Sequence, residues 1–207
     1  MVNVFPGELE KLELPALFSV GLHPWHVAEN TWNDQLELVG SVAGNPAVMA
    51  IGEIGLDKKA AIPYNMQGLV FEKQLGIAEL WNKPVIIHCV RSYSEMLFYR
   101  KKSVQSIPWI FHWFNARELI ATELIRKNCY LSFGHLLFNP QSRACQLFRD
   151  LPLERIFLET DDAGYTIREV YHHAAAIRDI SPEELIIGIR DNFTRCFDTV
   201  TGNGKLA

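Results

Sequence analysis

Short runs that are almost wholly apolar recur along the chain, and amphipathic stretches separate them. VNV (2–4), LFSVGLHP (17–24), AVMAIGEIGLD (47–57), PVIIHC (84–89), PWIFHWF (108–114), CYLSFG (129–134) and RIFLETDD (155–162) give seven candidate strands. Most are apolar at both odd and even positions, the pattern of strands buried between a core and a helical layer rather than half-exposed antiparallel ones.

The segments between them read as helices. From Gln67, QGLVFEKQLGIAELW places Leu69, the aliphatic stem of Lys73, Ile77 and Leu80 on one side, and Pro84 stops the helix. Asn115 with Glu118, and Thr166 with Glu169, have capping-box spacing; Ser181, Pro182 and Glu184 add a proline at the first helical position. In that last helix Leu185, Ile189, Phe193 and Cys196 fall on one stripe, and TGNGKLA, from about residue 200, reads as a flexible tail. Strand and helix alternate every 25 to 35 residues or so, which favours a parallel sheet of right-handed crossovers, either doubly wound or a (β/α) barrel. No glycine-rich turn follows the first strand and no GxxxxGK occurs, so the classical nucleotide folds are disfavoured.

Length and charge narrow the picture further. The 207 residues suffice for one domain with a large core, and 48% apolar residues with a mean hydropathy near zero argue against disorder. A net charge of 20 − 24 = −4 supplies no global attraction to nucleic acid, so any phosphate chemistry has to rest on local cations or a metal. Four cysteines without a CxxC pair suggest cytoplasmic thiols, and the N-terminal sequence has neither the layout of a signal peptide nor a span-length apolar run.

The polar residues carry the strongest signal. Glu53, His88, His112 and Asp161 each stand at or near the C-terminal end of a candidate strand, and His23 occupies the corresponding place on another. In a barrel these ends converge on one mouth, where catalytic groups collect. Imidazoles and carboxylates together suit Zn²⁺, Mn²⁺ or Mg²⁺, which activates water and polarises a phosphoryl or carbonyl oxygen. With no GxSxG nucleophile elbow in the chain, metal-assisted hydrolysis is the expected chemistry. Each residue also has a plain structural reading: a histidine satisfied by a carbonyl, Asp161 capping the DDAGYT loop, Glu159 acting as an internal partner. His26, His172 and His173 are expected at the surface or behind the site, His135 is ambiguous, and Lys58-Lys59 and Arg100-Lys101-Lys102 are expected to be solvated.

In this order, VGLHPWH (20–26), AIGEIGLD (50–57), FEKQLGIAELWNKPVIIHC (71–89), FHWF (111–114), YLSFGHLLF (130–138) and LERIFLETDDAGY (153–165) resemble the TatD family of metal-dependent deoxyribonucleases and phosphoesterases. The resemblance implies a single distorted TIM-type (β/α) barrel over residues 1–207 with a divalent-metal centre in its mouth. It implies Glu53 as a carboxylate able to bridge two metals, His88 and His112 completing one metal position, Asp161 ligating the other and orienting or deprotonating water, and His23 contacting substrate phosphate. DNA or a small phosphoester is the implied substrate; a related amidohydrolase acting on an amide or ester, and a noncatalytic relative, are the alternatives.

The sequence departs from the family in one large respect and several small ones. The family opens on a strand ending in His-x-His, and no such pair occurs here. A late start, a true seven-stranded relative and a degenerate one all account for this, and little nuclease turnover is expected of the chain as given. Seven strands where a barrel needs eight would leave an edge uncovered, which predicts that the chain dimerises, borrows its N-terminal segment for cover, or aggregates. Arg91 stands three residues beyond His88 rather than two, WFNA replaces a smaller turn after His112, and DDAGYT lacks the usual proline.

Overall fold

The structure, a computed structural model, describes residues 2–11, 17–161 and 163–201, and divides into two compact units, Met1–Trp109 with Phe197–Ala207 and Ile110–Cys196. Unit 1 contains β1 (Val2–Val4), β2 (Phe18–Val20), α1 (Trp32–Val42), β3 (Val48–Asp57), α2 (Tyr64–Leu80), β4 (Val85–Val90) and α3 (Tyr93–Lys102). β1 pairs with β2, β2 with β3 and β3 with β4, all parallel. Unit 2 contains α4 (Glu118–Arg126), β6 (Cys129–Phe133), α5 (Arg143–Phe148), β7 (Ile156–Leu158) and α6 (Ile167–Arg178), with β6 and β7 again parallel. β5 (Trp109–Phe111) and α7 (Pro182–Thr201) each cross a boundary between the units. All seven expected strands are present. The expected tail falls mostly on residues 202–207, outside the described residues. Among the described residues no helix is long and apolar enough to cross a membrane.

The strands are short apart from β3, and their apolar residues are buried whichever way they point: Val48, Ala50, Ile51, Ile54 and Leu56 on β3, Val85 and Ile87 on β4, Leu131 and Phe133 on β6. That is the burial pattern that unbroken apolar runs dictate for parallel strands covered on both faces.

The helices correct the expected faces in informative ways. On α2, Leu69 and Leu80 are exposed, while Gln67, Val70, Phe71, Gln74 and Ala78 are buried. The two glutamines turn inward because each amide satisfies a strand end: Gln74 accepts from the Leu22 N–H at 2.7 Å and donates to the Leu22 carbonyl at 3.1 Å. Gln67 accepts from the Asp57 N–H at 2.8 Å and donates to the carbonyls of Asp57 and Ile62. A buried amide paired on both sides replaces the backbone bonds that a terminating strand leaves open, so polarity alone misidentifies the inner face. The Phe193 position in α7 is also off the buried stripe; Asn192 takes it, donating to the carbonyls of Leu153 and Ile156 at 2.7 Å each.

The caps divide in the same way. Thr166–Glu169 forms a complete capping box and Ser181 exchanges the same bonds with Glu184. The Asn115–Glu118 box does not form: Arg117 is the N-cap of α4, and the Asn115 side chain instead accepts from Ala144 N–H in the first turn of α5. Arg100, expected in solvent, is buried. Its guanidinium donates to Ser103 Oγ and to the carbonyls of Val104 and Gln105, and it lies 5.2 Å from the Trp109 ring centroid.

Lys83, 4% exposed, ties the turn before β4 to the turn before β3 by donating from Nζ to the carbonyls of Asn45 and Val48. Burial pushes its ammonium down from the ordinary 10.5 to about 8, while the two carbonyl acceptors favour the charged form. A lysine whose folded pKa lies below its unfolded one releases its proton first in the folded state, so its contribution to stability rises with pH between about 8 and 10.5. We expect the urea-unfolding free energy of the wild type to gain roughly 1–3 kcal/mol on Lys83→Met between pH 7.5 and 10. A constant difference would show that the carbonyls hold the ammonium fully charged throughout.

Candidate metal centre

Three ligand-type residues come together in unit 1. One nitrogen each of His23 and His88 and a carboxylate oxygen of Glu53 lie within 4.8 Å of one another. His23 follows β2, Glu53 lies within β3 and His88 within β4, so three consecutive parallel strands each contribute one.

Local backbone features place Glu53. Between Ile51 and Ile54 β3 advances three residues while β4 advances two, from Val85 to Ile87, so Gly52 and Glu53 share a bulge. The flanking glycines make this possible. A Cβ on Gly52 would fall 2.5 Å from Ile86 Cβ, and one on Gly55 would fall 1.9 Å from the His88 carbonyl oxygen. The backbone of β3 therefore approaches β4 more closely than a side chain at either position permits, and the bulge re-aims the carboxylate between them.

Hydrogen bonds set the state of the imidazoles. His88 Nε2 lies 3.1 Å from Asp57 Oδ2. Asp57 is completely buried, and the same Oδ2 accepts from Trp25 Nε1–H at 2.6 Å while Oδ1 accepts from Lys59 N–H at 2.7 Å. Burial acts to raise its pKa, but the bonds from Lys59, His88 and Trp25 prevail and hold it below the usual carboxylate range. A charged Asp57 draws the proton to His88 Nε2 and leaves the lone pair on Nδ1, the carboxylate–histidine relay found behind metal-binding imidazoles. His23 is set the other way. Its Nδ1 accepts from Trp25 N–H at 3.1 Å as the cap of the 3-10 turn Pro24–His26, so the neutral ring carries its proton on Nε2. The two rings meet edge to face, 4.2 Å apart. The cluster thus brings together two imidazoles and a carboxylate. Nitrogen and oxygen donors of this kind fit a borderline or hard divalent cation.

The remaining predicted residues lie in unit 2. His112, half-buried, directly follows β5. Asp161 is exposed beyond β7 with φ = 47°. Glu159, two residues before it, accepts from Ser132 Oγ–H and Trp113 N–H at 2.6 Å each. Burial pushes Glu159 up to about 7, those two bonds oppose the rise, and the Asp161 charge adds to it. His135 lies 5.6 Å from the Trp113 ring, and His173 Nε2 contacts the Leu137 carbonyl at 3.0 Å. In unit 1 Lys58 is paired with Glu95 at 2.6 Å, and His26 packs on Phe5.

Asp57, Trp25 and Gln67 were not anticipated as parts of this site. For Asp57 a signal existed: a carboxylate ending a long apolar strand, which has to find several donors to be buried there. For the glutamine the sequence held none.

The profile of the TatD related DNases matches residues 8–198. The chain is 26% identical over 195 residues to the uncharacterized metal-dependent hydrolase YabD of Bacillus subtilis, covering 86% of this chain and 76% of that protein. It is 32% identical over 156 residues to the human 3'-5' RNA nuclease TATDN2, covering 72% of this chain and 20% of that one. With the 3'-5' ssDNA/RNA exonuclease TatD of Cronobacter turicensis it shares 31% identity over 150 residues, covering 69% of this chain and 56% of that protein. The crystal structure of YjjV, a TatD homologue from Escherichia coli, superposes with a TM-score of 0.82 at 21% identity, covering 95% of this chain and 85% of that one. The likeness establishes the TIM-like α/β fold.

The relay behind His88 is testable by metal affinity. Asp57→Asn is expected to weaken Mn²⁺ binding about 10- to 100-fold in calorimetric titration. Unchanged affinity would show that Asp57 serves only to fasten Trp25 and the Lys59 turn.

Proposed function

The chain belongs to the TatD family of DNases, and from that premise we propose that it is a divalent-metal-dependent hydrolase cleaving phosphodiester bonds of single-stranded DNA or RNA. The observation that carries the reading is the His23–Glu53–His88 cluster, with Asp57 fixing the tautomer of His88. Two of the relatives that the chain matches at 31–32% identity bear the names of 3'-5' nucleases, which supports the substrate class. The family profile runs through both units, which supports treating residues 1–207 as one hydrolase domain.

In this proposal Glu53 and His88 would hold the cation, and the family motifs assign ligand roles to His112 and Asp161 as well. A divalent ion held there would supply Lewis acidity for a bound water and for the phosphoryl oxygens. The chain's own groups do the rest. His23, whose Nδ1 is taken by the Trp25 N–H, is read as a donor to a substrate phosphate oxygen rather than as a metal ligand. Asp57 stays anionic, holds the proton of neutral His88 on Nε2 and makes its other nitrogen a more basic donor. Asp161, exposed at the end of its strand, orients or deprotonates the attacking water.

Mn²⁺ titration by calorimetry is expected to show loss of binding in His88→Ala and a weaker effect in Asp161→Ala. Loss in Asp161→Ala alone would reverse the assignment of the ligands. A hydrolysis panel with Mn²⁺, Mg²⁺ or Zn²⁺ should give turnover on oligonucleotides or phosphodiesters and none on lactones or amides. Turnover confined to carbonyl substrates would overturn the phosphodiester reading.

A further inference from the structure

Unit 2 carries a three-ring ladder that the metal chemistry does not use. The rings of Tyr165 and Phe138 are 4.0 Å apart and within 5° of parallel, and Phe138 and His173 are 4.3 Å apart and within 9°. Face-to-face stacking at this separation is the less favoured arrangement for aromatic side chains, which otherwise take offset or edge-to-face geometry. Here it is imposed by three anchored elements. Phe138 ends the 3-10 turn His135–Phe138, His173 sits on α6 with Nε2 against the Leu137 carbonyl, and Tyr165 immediately precedes the capping box that starts α6.

Tyr165 ends the ladder. It is 40% exposed, its ring partner is Phe138, and its hydroxyl makes no hydrogen bond among the described residues. One flat face is therefore backed by two parallel rings, while 40% of the residue stays exposed. The loop that presents it also holds Asp161, four residues earlier, and a second exposed ring, Trp113 at 41%, adjoins His112. We propose that Tyr165, backed by Phe138 and His173, is a stacking platform for an unpaired nucleobase of the substrate strand. The inference rests on the nuclease reading above and adds a base-binding site outside the metal cluster.

The physical case is one of shape and preorganisation. Every base has a π-face, so a flat exposed ring binds without regard to sequence, as an enzyme that trims strands of arbitrary sequence requires. Because the ladder is already formed, little side-chain entropy is lost when a base extends it. Stacking on an aromatic side chain changes affinity by roughly 5- to 150-fold per base.

The test compares a fluorescein-labelled ten-nucleotide oligothymidylate with an abasic chain of the same length and charge, by anisotropy on the full chain in EDTA. Wild type is expected to bind the oligothymidylate at least about 5-fold more tightly. Tyr165→Ala should abolish that preference without changing affinity for the abasic chain, and Tyr165→Phe should retain it. Tyr165→Leu, which keeps an apolar contact on Phe138, serves if the alanine variant fails to fold, with the same loss expected. An oligonucleotide ending in 2-aminopurine should be quenched by wild type. Equal affinity of wild type for the two chains, an unquenched 2-aminopurine, or a preference that survives Tyr165→Ala or Tyr165→Leu would each overturn the platform while leaving the nuclease reading in place. Absence of binding to either chain, with no oligonucleotide hydrolysis under Mn²⁺, would overturn both.

Discussion

Parallel strands that stop at a functional site leave backbone donors and acceptors without a ladder partner, and in unit 1 one face of α2 resolves this. Gln74 closes on both polar groups of Leu22 and Gln67 on both polar groups of Asp57. The two glutamines are seven residues apart, two helical turns, so a single rigid rod holds two strand ends at fixed spacing. His23 follows the first clamped residue and Asp57 is the second. Were either amide removed, a buried N–H and C=O would both lose partners at a cost of about 1–3 kcal/mol each, and the residue positioned by them would be released.

From those two fixed points the site is assembled through Asp57. Its Oδ2 receives both His88 and Trp25, and Trp25 N–H in turn fixes His23. The tautomers of two imidazoles thus follow from one buried carboxylate and one indole-bearing turn. Glu53 arrives by a different route, through a bulge and two glycines that bring β3 against β4. Side-chain hydrogen bonding sets the nitrogens and backbone approach sets the oxygen, which is why substitutions far from Glu53 in chemistry, such as a methyl group on Gly52 or Gly55, would displace it.

What the sequence made legible follows the same division. All seven strands are where the pattern puts them, because short apolar runs rich in β-branched and aromatic residues and bounded by turn residues suit buried strands. Three strand-end residues, His23, Glu53 and His88, do come together. The inward face of α2 was hidden because the pattern treats glutamine as polar surface, whereas an amide that pairs with both groups of a peptide unit is as buriable as the peptide itself. Arg100 was hidden for the same reason, its guanidinium being satisfied by Ser103 Oγ and the carbonyls of Val104 and Gln105 after its own helix. Asn115 has the spacing of a cap for the helix that follows it, yet bonds to one twenty-nine residues on. Local spacing cannot distinguish two helix starts brought side by side by the fold.

Two carboxylates at strand ends, buried Asp57 in unit 1 and half-buried Glu159 in unit 2, show how donor count decides charge. Asp57 receives three donors, from Lys59, His88 and Trp25, and these outweigh its burial. Glu159 receives two, from Ser132 and Trp113, and also faces the charge of Asp161, so burial prevails and it sits at about 7. The first is a permanent anion and therefore a reliable director of an imidazole. The second is held in place in either protonation state, because its contacts to Ser132 and to the Trp113 backbone can be kept by a carboxyl as well as a carboxylate. Trp113, whose backbone takes a left-handed turn at φ = 45°, is thus anchored through its N–H while its ring stays exposed beside His112. Because the anchoring falls on the backbone, the ring can stay 41% exposed while it packs against His135 at 5.6 Å.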